Sequence, residues 1–289
     1  MAHRVPSVAF KGVVLGLLSV ATVAAQKIPS HGLWVWKSSA VLEASHGAEQ
    51  LLDFCRLQGI NEVYVSVFAK HESSSENRLV RLIALLHHSN LRVEALLSST
   101  DADEPGEHRN KLLDHVREIA QFNQNHPANR FDGIHLDIEP QQRPENKGPG
   151  NLRFLPGLVD TYRVVRGLAE PAQLTVNADI QNKLLKGSLA ERRKLLSSLP
   201  RLTLMLYELS SLEDSIENKA EKLRVASQKF LDMAYEGLDT PNLAQMAIAL
   251  RTPDYGEQLP RMLRTLDEAN RTNPHYCGWA RHSYNDILK

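Results

Sequence analysis

The sequence predicts one fold, a single α/β (β/α)8 barrel, the TIM barrel, behind a signal peptide. Three observations carry this. Short β-rich runs recur along the chain at spacings of roughly 30 to 40 residues, the length of one strand–helix unit. Apolar residues between them fall at helical intervals. Within the runs one side-chain parity is aliphatic and the other polar or aromatic, as expected where one face packs on helices and the other faces a barrel axis.

The chain opens on His3, Arg4 and Lys11 with no acid among residues 1–11. An apolar run, GVVLGLLSVATVAA, follows from Gly12 to Ala25. It is short for a bilayer span. Small residues, Val23 and Ala25, occupy the −3 and −1 positions of a cleavage site. This predicts a signal peptide over 1–25 and a barrel domain over 26–289, secreted or periplasmic and free of the membrane after cleavage.

The strands are expected at 32–37, 62–68, 92–99, 131–140, 173–180, 202–210, 242–251 and 275–283. The helical pattern is clear at Ala48, Leu51, Leu52 and Cys55, at Leu79, Leu82, Ile83 and Leu86, and at Leu112, Leu113, Val116, Ile119 and Ala120. Gly59 stops the first of these as a helix C-terminal glycine does. A doubly wound open sheet would carry a glycine-rich phosphate turn after the first strand. Trp36-Lys37-Ser38-Ser39 is not one. No linker or low-complexity tract divides the chain.

Composition narrows the partners. The 289 residues carry 34 Lys+Arg and 34 Asp+Glu, so net charge is zero. That excludes a general nucleic-acid binder and a polybasic membrane-surface protein. Two cysteines, Cys55 and Cys277, exclude a disulfide scaffold and a four-cysteine zinc site. They are expected to stay unpaired, Cys277 facing the axis beside Trp279 and Cys55 outside the wall. Asn270-Arg271-Thr272 is a glycosylation sequon, relevant only in a eukaryotic host. A monomer without a cofactor is expected.

Alternation selects the candidate site. In the fourth run Ile134, Leu136 and Ile138 share one face; His135, Asp137 and Glu139 share the other. In the fifth, Leu174, Val176 and Ala178 oppose Thr175, Asn177 and Asp179. In the second, Val63, Val65 and Val67 oppose Tyr64, Ser66 and Phe68; in the seventh, Met246, Ile248 and Leu250 oppose Ala247, Ala249 and Arg251. Three ionisable side chains in one interior column are costly unless paired or used. The C-terminal mouth, where barrel sites lie, is expected to collect Trp36, Asp179, Tyr207, Arg251, Trp279 and Arg281 as well. A buried structural network is the competing reading of the column.

The stretch Phe131 to Glu139 resembles the fourth-strand signature DGxDxDxE of family 18 glycoside hydrolases. Met205-Leu206-Tyr207-Glu208 resembles that family's MxY[DN] motif, and Trp279 stands where the family keeps a Trp under the reactive sugar. The resemblance implies that Glu139 is the general acid. Asp137 then orients a substrate 2-acetamido group, which acts as nucleophile, and Tyr207 hydrogen-bonds it. There are departures. His135 replaces the first Asp, Glu208 replaces Asp or Asn, Ile138 replaces an aromatic, and Leu97-Ser98-Ser99-Thr100 lacks the family's SxGG. They mark a divergent relative or another clan of barrel glycosidases.

Glycoside hydrolysis needs an acid for the leaving oxygen and a group that stabilises or captures the oxocarbenium-like carbon. The expected catalytic set is Glu139, Asp137 and Tyr207, with a raised pKa expected at Glu139. The expected substrate-binding set is His135, Trp36, Asn177, Asp179, Arg251, Trp279 and Arg281. For each Trp, packing competes with stacking on a sugar. Arg251 and Arg281 fit an acidic sugar, or else pair with Asp179 or Glu94. Two other functions compete. His135, Asp137, Glu139 and Asp179 are possible metal ligands of a phosphodiester hydrolase, though His282 is expected to point outward. The third is a carbohydrate-binding barrel without catalysis.

Overall fold

The computed structural model describes residues 29–67, 73–148, 150–209 and 213–286. The signal-peptide reading and Phe68 lie outside the described residues. The strands are β1 (Ser30–Val35), β2 (Glu62–Ser66), β3 (Arg92–Ser99), β4 (Gly133–Ile138), β5 (Thr175–Gln181), β6 (Arg201–Met205), β7 (Gln245–Arg251) and β8 (Tyr276–His282). All pair in parallel, and β8 returns to β1 to close the barrel. The helices are α1 (Ser38–Glu43), α2 (Gly47–Gln58), α3 (Ser73–His88), α4 (Glu107–Asn125), α5 (Leu155–Ala169), α6 (Leu189–Leu196), α7 (Ile216–Tyr235), α8 (Thr252–Tyr255) and α9 (Leu259–Asn270).

The longer helices form because each owns one apolar stripe. In α2 the buried residues are Gly47, Leu51, Leu52 and Cys55, and Gly59 ends it at φ 66°, the left-handed region that suits glycine. These stripes pack on the aliphatic parity of the strands. Leu33, Val35, Val63, Val65, Ile134, Leu136, Ile138, Met246 and Ile248 all belong to this outer core. A second, smaller cluster fills the axis: Trp34, Tyr64, Leu96, Met205, Ala249 and Ala280, with Trp36 and Tyr207 against it. Gly32 leaves room for this filling, since a Cβ there would lie 2.3 Å from Tyr64 Oη.

The parity expectation holds for β2, β4, β5 and β7 and fails for β8. Register pairs Gly278, Ala280 and His282 with the inward Ala247, Ala249 and Arg251, and pairs Trp279 and Arg281 with the outward Ile248 and Leu250. The reason is volume. The large rings of Trp34 and Tyr64 occupy the axis, so β8 contributes Gly and Ala there. At Gly278 a Cβ would meet Ser30 O at 2.0 Å. Cys277 therefore does not face the axis. It lies in the outer layer near Tyr235 of α7. Both cysteines are buried and neither is in a disulfide, and burial pushes the Cys55 thiol up to about 12.

The sequon is also explained. Asn270 is 1% exposed, and its Nδ2 donates to Ser227 Oγ at 3.0 Å and to Leu266 O at 2.9 Å. A glycan would take one of that nitrogen's two hydrogens, breaking at least one of these bonds, and the buried side chain leaves it no room. Folded protein secreted from a eukaryotic host is expected to carry no sugar at Asn270, and an occupied peptide in mass mapping would contradict the docking of α9.

Candidate active site

The axis is organised as a column of charges. At its floor Arg201 meets Glu62 at 2.8 Å and Glu94 at 3.5 Å, and Arg92 meets both at 3.0 Å. Above them His135 from β4 lies wholly buried. Its Nδ1 is 3.1 Å from Glu94 and its Nε2 is 2.8 Å from Asp179 of β5. Tyr64 stacks on the imidazole, ring centroids 3.7 Å apart. Asn177 donates to Glu94 at 2.6 Å, and Trp34 Nε1 donates to Asp179 at 3.1 Å. Burial alone would push His135 down, but Asp179, then Glu94, reverse this and raise it to about 9. Burial likewise opposes the charge on Glu94, yet Arg201, His135 and Arg92 lower it to about 2. The ring is thus an imidazolium donating from both nitrogens.

This corrects three expectations. His135, Asn177 and Asp179 are 0%, 4% and 2% exposed, and all bond within the column. They support the site from beneath instead of lining it for a substrate. The metal reading loses its histidine for the same reason, because both ring nitrogens are already engaged by Glu94 and Asp179.

One step up the axis lie Asp137 and Glu139. Glu139 Oε2 accepts from Gln141 at 3.1 Å, Gln142 at 2.6 Å and Gln181 at 2.9 Å. Asp137 shares a side-chain hydrogen bond with Glu139. Burial first, then Asp179 and Glu139, hold the Asp137 carboxyl well above the ordinary range. Among the described residues its Oδ1 is buried and without a hydrogen-bond partner, as is the hydroxyl of Tyr207. A buried polar atom left unpaired costs on the order of 1–3 kcal/mol. Two such atoms at one mouth form a site built for a polar guest.

The rim differs from expectation on two sides. Trp279 and Arg281 do not reach the mouth. Trp279 stacks on His31 at 4.1 Å and donates to Asp267 of α9 at 3.0 Å; Arg281 bonds Gln58 of α2 at 3.1 Å and covers the Phe54 ring. Arg251 does reach it and lies over the Tyr207 ring, 5.5 Å from its centroid. Its partners are Asp254 at 2.8 Å and Glu208 at 3.1 Å, not Asp179 or Glu94. Glu208 turns away from the axis at φ 58°, its amide held by Asp254. Trp36 stays at the mouth, where its Nε1 donates to His282 Nε2 at 2.8 Å. A cleft of about 440 Å³ opens from Trp36, Ser66, Leu96 and Ser98 toward His108 and Lys111 of α4.

Sequence reasoning missed Gln181, Trp34 and His282. Gln181 was legible, because it continues the inward parity of Asn177 and Asp179 on β5. His282 was legible only if Gly278 and Ala280 had been read as the inward residues of β8.

No family model and no curated protein matches the chain. Solved structures do. The exo-β-1,4-mannosidase Op5Man5 from Opitutaceae bacterium strain TAV5 superposes with TM-score 0.61 at 12% identity, covering 89% of this chain and 52% of that one. This chain thus spans about half the mannosidase's length. A chitinase from Bacteroides thetaiotaomicron gives TM-score 0.56 at 12% identity over 91% and 93% of the two chains. A family 18 chitinase from Pseudoalteromonas aurantia gives 0.53 at 10% identity over 89% and 94%. At these identities the likeness is one of fold. The chain has the TIM-barrel fold of family 18 chitinases and other glycoside hydrolases.

Proposed function

We propose that the protein is an exported glycoside hydrolase, released after Ala25, that cleaves a glycosidic bond in an oligo- or polysaccharide through carboxylate acid catalysis. The carrying observation is the pairing of Asp137 with Glu139 at the mouth, beside two unpartnered polar atoms, Asp137 Oδ1 and Tyr207 Oη. One acceptor and one hydroxyl donor match the N–H and C=O of an amide. This supports a sugar bearing a 2-acetamido group, as the family 18 resemblance implies.

The chemistry follows from the pair. Two carboxyls that share a hydrogen bond hold a proton between them more readily than either alone. Glu139 Oε2 is filled by three amide donors, so the transferable proton lies on the Oε1 side. Glu139 delivers it to the leaving oxygen as the C1–O bond breaks. The negative charge left on the pair then faces the positive charge growing at C1. Asp137 Oδ1 receives the acetamido N–H, and Tyr207 donates to its carbonyl oxygen as that oxygen closes on C1. Water then opens the ring, with Glu139 taking its proton. Trp36 at the rim provides a flat apolar face for a sugar.

Incubation with N-acetylated chito-oligosaccharides, their deacetylated forms and β-1,4-manno-oligosaccharides, read by mass spectrometry, tests this. Cleavage is expected beside acetamido sugars and should persist in EDTA. Absence of new reducing ends across the panel would refute the proposal. Tyr207→Phe is expected to lower kcat/KM by about 1–3 kcal/mol, from one lost hydrogen bond, with an unchanged melting temperature. The hydroxyl has no partner among the described residues, so its loss is expected to cost the fold little. A variant that melts early but turns over normally would mark a structural hydroxyl.

A further inference from the structure

His282 ends β8 on the inward face, among three aromatic rings: Trp34 at 5.8 Å, Trp36 at 6.0 Å and Tyr207 at 5.9 Å between centroids. An indole N–H only donates. Trp36 Nε1 lies 2.8 Å from His282 Nε2, so that nitrogen must carry the lone pair. In a neutral imidazole the proton then belongs to Nδ1. Protonating the ring fully would set two N–H groups against each other. Burial pushes His282 down, toward the neutral form.

The tautomer leaves Nδ1–H buried and without a partner. The charged groups around it are spoken for. Asp179 is held by His135 and Trp34, and Asp254 by Arg251 and the Glu208 amide. Asp286 accepts from Ser283 N. Arg251 pairs with Asp254 and Glu208. A buried donor aimed at nothing among the described residues is one kept for a guest.

We propose that His282 is a substrate-binding residue of this mouth, its Nδ1–H fixed as a donor by Trp36 and directed at an oxygen of the bound sugar. The inference rests on the glycosidase reading. It adds a contact from the β8 side, across the axis from Asp137 on β4, so the sugar is gripped from opposite walls. The ligand class is a neutral oxygen acceptor, a hydroxyl or a carbonyl. An ammonium at that position would meet a second donor.

The test begins with the free protein, its histidines labelled with nitrogen-15. The His282 signal, identified by its loss in His282→Phe, is expected in the Nδ1–H pattern. An Nε2–H or doubly protonated pattern near neutral pH overturns the proposal whatever the protein does to sugars. N-acetylchitopentaose and mannopentaose are then titrated into Glu139→Gln protein, which leaves them intact. The His282 Nδ1 signal should move with whichever sugar binds. Adding His282→Phe should weaken binding about tenfold, one hydrogen bond's worth, while His282→Gln, which keeps a donor, should restore most of it. Sugar that binds without moving the signal, with equal affinity in His282→Phe, overturns this proposal and leaves the glycosidase reading standing. If neither sugar binds, that reading falls and this one with it.

Discussion

Glu139→Gln is expected to abolish turnover while the barrel stays folded and sugar affinity is nearly kept. The three amide donors from Gln141, Gln142 and Gln181 all aim at Oε2. The new side chain can turn its carbonyl oxygen to them and place its NH2 where Oε1 stood. Shape and hydrogen bonding survive, but no proton can be given up. The expected loss in kcat is at least the roughly 10²–10⁴-fold that general acid catalysis supplies. Matched melting curves and oligosaccharide titrations separate this from unfolding. Activity that persists in Glu139→Gln, is lost in EDTA and returns with a divalent cation would move the protein to metal-dependent chemistry.

His135→Leu is expected to be the most damaging change for the fold. It strands Glu94 and Asp179 in a wholly buried column, and removing one partner from such a network costs about 3–5 kcal/mol. The sign with pH is fixed by the raised imidazole. Its folded value of about 9 exceeds the ordinary 6.5, so its contribution is full below 6.5 and fades as pH climbs through 9. Glu94, lowered to about 2, contributes fully above 4.5 and loses this as pH falls through 2. The column therefore stabilises wild type most between about 4.5 and 6.5. Denaturant midpoints across pH should show an alkaline decline in wild type that His135→Leu lacks. A variant within about 0.5 kcal/mol of wild type would show that the column is not held as described. His135→Asp should be no better, since with Glu94 and Asp179 it would set three carboxylates together.

Most of the architecture is written in the alternation of side chains. β3 runs over the expected residues 92–99, and β4 turns its aliphatic and ionisable faces as Ile138 and Asp137 announce. Where reasoning failed, it treated size and polarity as marks of the interior. On β8 they mark the exterior. Trp279 and Arg281 find partners on α9 and α2, and the axis keeps only Gly278 and Ala280 because Trp34 and Tyr64 already fill it. Interior volume is a property of all eight strands together, so no single strand's pattern reveals its share. The site was legible to the same degree. Asp137, Glu139 and Tyr207 meet at the mouth as their motifs suggest. The roles of His135, Asn177 and Asp179 depend on contacts with Glu94, Arg201 and Trp34, which come from three other strands.

That column has a consequence for how such a barrel can change. In barrels the floor ordinarily serves stability and the mouth serves chemistry, so loops can be rebuilt without touching the foundations. Here Arg201 fixes Glu94, Glu94 fixes His135, His135 fixes Asp179, and the charge on Asp179 adds to burial in raising the proton affinity of Asp137. Foundation and workshop share one beam. New substrates remain reachable through the rim at Trp36, Arg251 and His108. A new acid–base balance is not, unless changes at the floor come with it, and selection for activity alone will be felt at residues that no sugar ever meets.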